Sequence, residues 1–176
     1  LLRRYERAAG HPIYLMEDAA YRELGFAGIP SASALAVKGA SDRVIYSGTY
    51  SKPFATGVRV GFGILPEELL TPVLRIKGNH DFGTSHLPQQ LVSRAIASGL
   101  FEKNLAKVQR RYRAKAKAMT DAIAEHFPAT VKSAQPEGGL NVWAALPRKA
   151  NTGMKSRFFK QVLAHNVLYV PGGLCY

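Results

Sequence analysis

The chain is poor in cysteine, tryptophan, acids and long apolar runs. Its one cysteine is Cys175 and its one tryptophan is Trp143. A lone cysteine excludes an internal disulfide framework and fits a reducing compartment. Cys175 has no partner histidine signature, so it reads as a structural thiol rather than a nucleophile. Trp143 reads as core. No apolar run approaches the ~20 residues that span a bilayer. The opening Leu1-Leu-Arg-Arg-Tyr-Glu reads as a charged helical start without a signal-peptide core. These absences point to the cytoplasm and away from a membrane partner.

Acids are scarce as well, 12 against 24 lysines and arginines, for a formal net charge of +12. The excess is concentrated: Lys103, Lys107, Arg110, Arg111, Arg113, Lys115 and Lys117 follow one another with no acid between. Several of them share a face at the helical period, and the others spread away from it. No aromatic platform for stacking single strands is interleaved. The run reads as a solvated helix face, and nucleic acid is not expected as a partner without a fused DNA-binding domain.

What is present suffices for a folded domain. The 176 residues are 47% hydrophobic and 20% charged, a globular balance. Residues 2–9 read as a helix closed by Gly10. Residues 13–17, 43–48 and 58–65 read as strands, with a loop and short helical pieces over 22–40. Pro66-Glu-Glu opens a helix, with proline at its first position and acids in the first turn. The polar stretch 78–88 reads as a loop, 89–99 as a helix and 101–127 as a long helix. Beyond Pro128, residues 130–132, 140–146 and 167–170 read as strands and 152–165 as a helix. Strands alternating with helices predict an open α/β sheet, followed by a small α+β region.

The chemistry concentrates in Tyr46-Ser-Gly-Thr-Tyr-Ser-Lys-Pro-Phe-Ala-Thr-Gly-Val-Arg-Val-Gly-Phe62 and in Tyr14-Leu-Met-Glu-Asp-Ala-Ala-Tyr21. Lys52 follows a strand and a hydroxyl-rich turn, and Arg59 stands seven residues later beside glycines. A lysine amine forms an imine with an aldehyde and can then carry a proton. Thr49, Ser51 and Arg59 suit a phosphate, hydroxyls and a guanidinium being strong partners for its oxygens. Asp18 closes an apolar strand, a place where catalytic groups of α/β sheets gather. A carboxylate there suits a pyridine nitrogen, although Asp18 also fits a helix N-cap after the strand and Glu17 is a rival acid. Tyr21 supplies a phenol. An amine, phosphate ligands, a carboxylate and a phenol together fit pyridoxal phosphate. His80, Asp81 and His86 have ligand chemistry but no metal-ligand spacing, so no metal is expected.

The two segments resemble class I/II aminotransferases, the fold-type I pyridoxal-phosphate enzymes, and within them the aminoadipate, kynurenine and aromatic branch. Asp18 and Tyr21 match the family's Asp-x-x-Tyr. Thr49-Tyr-Ser-Lys52 matches its Ser-x-Ser-Lys, with threonine for the first serine. Gly57-Val-Arg59-Val-Gly61 matches its Gly-x-Arg-x-Gly, and Thr56 stands where proline is common. Pro136-Glu-Gly-Gly-Leu-Asn-Val-Trp143 looks like the segment bordering the substrate pocket, which nominates Gly139 and Asn141. Val167-Leu-Tyr-Val-Pro-Gly172 looks like the strand and turn before the C-terminal part.

The resemblance implies a mostly parallel sheet with flanking helices in a cofactor-binding large domain, covering residues 1–95. A connecting helix and part of a small C-terminal domain would cover 96–176. It implies transfer of an amino group between an amino acid and a 2-oxo acid in amino-acid metabolism, through a Lys52 Schiff base. Asp18 would hold the ring charge, Tyr21 the ring hydroxyl, and Thr49, Ser51 and Arg59 the phosphate. A homodimer follows from the same resemblance. So does a longer protein, of which these residues alone would not transaminate and would expose an apolar sheet edge. Two alternatives share the motifs: the effector domain of a DNA-binding regulator, and a pyridoxal-phosphate lyase or decarboxylase.

Overall fold

The computed structural model describes residues 1–27 and 32–175. The chain forms two compact units, Leu1–Met119 with Pro136–Asn141, and Thr120–Gln135 with Val142–Tyr176.

In the first unit a three-stranded sheet carries the site. Strand β1 (Leu15–Asp18) runs parallel to β2 (Val44–Thr49), which runs antiparallel to β3 (Gly61–Ile64). The expected mostly parallel sheet is therefore mixed here. Helix α1 (Leu2–Ala9) precedes it, ended by Gly10 at φ 72, whose N–H returns to the Glu6 carbonyl. The central strand β2 alternates, burying Val44, Tyr46 and Gly48 on one face; period-two burial is what a pleated strand imposes. Gly48 lets the Phe62 ring close over the strand, since a Cβ there would lie 2.4 Å from that ring. The rings of Tyr46 and Phe62 stack there at 6.0 Å.

Helix α2 (Glu67–Asp81) begins after Pro66 with two acids in its first turn, as its dipole favours. It runs four residues into the stretch expected to be a loop. Lys77 and Asp81, one turn apart, pair near its end, and an Asp81 oxygen receives the Gly83 N–H at 2.9 Å. Helix α3 (His86–Ala97) likewise starts inside that stretch, so only 82–85 link the two helices. Val92 and Ala95 are its buried residues, and it packs on the 3-10 turn Thr56–Val58. Leu70, Val73, Leu74 and Ile76 of α2 remain 39–60% exposed.

Helix α4 (Leu100–His126) is sharply two-sided within this unit. Phe101, Asn104, Leu105, Val108, Gln109, Tyr112 and Ala116 are half-buried at helical spacing. All seven bases from Lys103 to Lys117 are exposed. At about 100° per residue their mean direction opposes the packed stripe. The bases spread over a wide arc, as the sequence suggests; Lys115 projects between Asn104 and Val108 yet stays exposed, its Nζ 5.9 Å from the centre of the Tyr112 ring.

In the second unit β4 (Lys132–Ser133) pairs antiparallel with β5 (Ala144–Ala145). These are shorter than the strands expected there. Helix α5 (Arg157–Ala164) is capped by the Ser156 hydroxyl, which accepts the Phe159 N–H at 3.0 Å. It begins five residues later than expected because that cap sets its start. The last expected strand, 167–170, is not a strand. Its residues serve packing instead: the Tyr169 ring meets Phe158 and Phe159, and its hydroxyl donates to the Thr152 carbonyl at 2.7 Å. Trp143 is 52% exposed, so it is not a core residue within its unit; Gly172 lies against its ring, where a Cβ would stand at 2.7 Å. Among the described residues no helix is long and apolar enough to cross a membrane.

Candidate cofactor site

The site lies where β1 and β2, running parallel, both end. Asp18, the last residue of β1, pairs in register with Ser47 of β2, two residues before Thr49. Parallel pairing thus brings two segments far apart in sequence to one edge of the sheet.

After β2 the chain makes a tight turn about Lys52. The N–H groups of Phe54 and Ala55 both return to the Tyr50 carbonyl at 3.1 Å. The Thr49 hydroxyl accepts the Ser51 N–H at 3.1 Å and lies 3.4 Å from the Val60 carbonyl. Ser51 is buried, Pro53 is fully buried and Lys52 is half-buried. Arg59 closes the following 3-10 turn in the left-handed region, at φ 50 and ψ 35. A non-glycine residue held there is strained, and such strain collects at functional sites. Its guanidinium donates to the Ser51 hydroxyl at 3.3 Å. Thr49, Ser51, Lys52 and Arg59 are therefore gathered on one turn.

The β1 side contributes Asp18 and Tyr21. One Asp18 oxygen accepts the Ala20 N–H at 3.1 Å, so it caps a turn, and the N-cap of the following 3-10 helix is Tyr21 instead. Asp18 is exposed, and among the described residues it forms no ion pair. Glu17 is occupied elsewhere: one of its oxygens accepts the Ser33 hydroxyl at 2.8 Å and the Ala34 N–H at 2.9 Å. Tyr21 stands on the short 3-10 turn Arg22–Leu24, anchored by fully buried Leu24. The Lys52 ammonium nitrogen lies 5.7 Å from the centre of the Tyr21 ring, within cation–π range.

The segment 136–141 docks on the same turn. Gly139, at φ 81, donates its N–H to the Leu24 carbonyl at 3.1 Å, and Phe26 N–H reaches the Glu137 carbonyl at 2.8 Å. Gly138 must be glycine, since a Cβ would stand 2.9 Å from the Gly25 Cα and from the Leu24 oxygen. Gly139 is thus brought beside the Tyr21 turn. Asn141 is exposed at the end of this segment. The metal candidates are divided, with His80 and Asp81 ending α2, His86 opening α3 and Asp81 committed to Lys77.

Sequence reading passed over the α4 residues that touch this site. Phe101 packs on the rings of Tyr50 and Phe54 at 5.8 and 5.9 Å. Asn104 and Gln109 bond to backbone on either side of it. Their helical periodicity marks them as facing inward; their partners, 50 and 86 residues away, leave no local trace.

A lysine, a phenol, two hydroxyls and a strained arginine at the end of an α/β sheet suit a phosphorylated aldehyde: amine for the carbonyl, hydroxyls and guanidinium for the phosphate. The model for aminotransferases of class I and II matches residues 4–176. The chain belongs to that family. Among relatives, it is 38% identical to 2-aminoadipate transaminase of Thermus thermophilus, over 92% of this chain and 40% of that protein. It is 31% identical to aromatic-amino-acid aminotransferase 1 of Thermococcus litoralis, over 95% of this chain and 39% of that protein. Among solved structures, alpha-aminoadipate aminotransferase LysN of Thermus thermophilus, complexed with N-(5'-phosphopyridoxyl)-L-leucine, matches with a TM-score of 0.83. That match has 34% identity and covers 97% of this chain and 43% of LysN. Weaker matches include HTH-type transcriptional regulators, at 24–28% identity. The chain spans about 40% of the length of the curated relatives first matched.

Proposed function

We propose that this chain supplies one wall of the active site of a pyridoxal-phosphate-dependent aminotransferase, which moves an amino group between an amino acid and a 2-oxo acid. The observation that carries the reading is the placement of the Lys52 amine over the Tyr21 ring, on the turn that also holds Ser51 and Arg59. Pyridoxal phosphate supplies an aldehyde and an electron-withdrawing ring. Lys52 would supply the amine for that aldehyde and would carry a proton at its Nζ. Arg59 with the Thr49 and Ser51 hydroxyls holds the phosphate. The Asp18 carboxylate would hold the ring nitrogen's proton, and the Tyr21 hydroxyl would donate to the ring oxygen. Gly139 and Asn141 border the substrate pocket.

In the intact protein we assign residues 1–95 to the cofactor-binding large domain, and 96–176 to a connecting helix and part of the small C-terminal domain. We assign the protein to amino-acid biosynthesis in the cytoplasm, as a homodimer. The higher identities to transaminases than to regulators support an enzyme over an effector domain.

The test is Lys52→Ala in the intact protein. Adding pyridoxal phosphate should give no lysine-linked visible band, and an unchanged band sinks the assignment. Amino acids offered with 2-oxoglutarate separate transfer from decarboxylation, elimination or effector binding without turnover. Mass measurement showing a stable, cofactor-loaded monomer would contradict the homodimer.

A further inference from the structure

Helix α4 holds both loops of the candidate site through uncharged side chains. Asn104 Nδ2 donates to the Phe54 carbonyl at 3.2 Å, and Gln109 Nε2 donates to the Glu23 carbonyl at 2.7 Å. Phe54 ends the turn around Lys52. Glu23 lies in the 3-10 turn that follows Tyr21, where the Leu24 N–H closes on the Tyr21 carbonyl at 2.9 Å. Five residues of α-helix advance about 7.5 Å and rotate about 140°. The two amides therefore leave one rigid rod in different directions and fix two points that no strand pairing links. Apolar packing by Phe101 alone would let the Lys52 turn slide, whereas a hydrogen bond to a carbonyl has direction. An amide also makes that bond without placing a charge beside the cofactor.

We infer that Asn104 and Gln109 are positioning residues, which set the separation of Lys52 from Tyr21 and thereby the reactivity of the Lys52 amine. The inference deepens the aminotransferase reading and rests on it for its role in catalysis. Neither amide touches the reacting atoms. They act through the backbone of the two loops that do. Sites held by side chains on helices are more exact than sites left to loops alone.

The experiment uses the intact protein with Asn104→Leu and Gln109→Met, near-isosteric changes that delete the donors and add no charge. Lys107→Ala, on the exposed side of α4, is the control. The first readout is the pH midpoint of the visible absorbance of added pyridoxal phosphate, with its affinity. The second, on cofactor-free protein, is the rate of reductive labelling at Lys52 by propionaldehyde and cyanoborohydride, with exposed Lys38 as internal reference. Each donor deletion is expected to change the Lys52 rate and the cofactor affinity about three- to tenfold and to move the midpoint. Lys38 labelling and the control should stay at wild type. A Lys52 rate and midpoint equal to wild type overturn the inference. So does a change shared equally by Lys38, which would mean general loosening. A wild type without a lysine-linked visible band defeats the aminotransferase reading instead, and the cofactor-free rate still decides the positioning role. If a donor deletion prevents folding, Asn104→Gln and Gln109→Asn keep the donor, alter its reach by one methylene and carry the same comparison.

Discussion

The two ends of strand β2 carry arginines with opposite surroundings. At the start, Arg43 is surrounded by acids. It donates to the Glu6 carboxylate and to the Asp42 carbonyl at 2.6 Å, and it lies 3.4 Å from Glu68. Asp42 also pairs with Arg3 at 2.7 Å, Glu68 accepts the Tyr14 hydroxyl at 2.5 Å, and Glu6 accepts the Ile13 N–H at 3.1 Å. Three carboxylates and a phenol thus converge on one guanidinium, tying α1, β2 and the start of α2 together. Beyond the other end, Arg59 bonds a neutral hydroxyl, and among the described residues neither it nor Lys52 has an acidic partner. One end is electrically closed and structural. The other holds two cations with no ion pair among the described residues, which leaves them for an anionic ligand.

The largest way to test this contrast is Arg59→Ala. Losing one charge-assisted, fork-capable contact to a phosphate should cost about 1.5–3 kcal/mol, a roughly tenfold to hundredfold weaker affinity for pyridoxal phosphate by titration. Thermal stability of the cofactor-free protein should barely change. Gly138→Ala should come next. Its Cβ meets backbone rather than a flexible side chain, so about 1–3 kcal/mol of stability should be lost in denaturant unfolding. Because the displaced backbone follows Tyr21, cofactor affinity should fall with it.

At the closed end, Arg43→Ala should lower Tm more than Arg3→Ala does, since it strips partners from three carboxylates at once. It should leave cofactor affinity alone. Equal effects of Arg43→Ala and Arg59→Ala on affinity would dissolve the comparison.

The pH dependence of stability belongs to the same end. The hydrogen bond from Arg43 holds the Glu6 carboxyl below its ordinary 4.5, and the one from Arg3 holds Asp42 below 3.8. Their contributions are complete above those ordinary values and vanish as pH falls through the lower folded values. Tyr14, bonded to Glu68, is pushed above its ordinary 10.0, so its contribution is complete below 10.0 and fades as pH rises past the folded value. Stability should thus decline on both flanks, with the acid-side loss reduced in Arg43→Ala. A pH–stability curve of the two proteins checks this. The smallest effect is expected from Lys77→Ala, which breaks an exposed pair on α2; neither Tm nor cofactor affinity should move measurably.

Local signals were readable where local chemistry rules. Gly10 ended α1, the Pro66-Glu-Glu run opened α2, and a β-prone run bounded by a turn placed β2 within a residue. They failed where a distant or competing contact decided. Helix α2 continued through residues that read as loop, and packing of Tyr169 on α5 claimed a stretch that read as strand. Sheet direction was equally out of reach, because β3 folds back on β2 and no periodicity within a strand encodes its partner's orientation.

The sequence by itself determined the chemical inventory of the site. Lys52, Ser51, Thr49 and Arg59 lie within eleven consecutive residues, so a single turn can gather them and spacing alone reveals them. Tertiary structure decided everything that crosses from one segment to another. It set Tyr21 under Lys52, gave Glu17 and Asp18 separate tasks, laid Gly138 and Gly139 on the Leu24 turn, and brought Asn104 and Gln109 to the two loops. Those choices depend on parallel strand pairing and on where a long helix comes to rest. Both are long-range contacts, whose energy is shared between distant residues and written in neither segment alone.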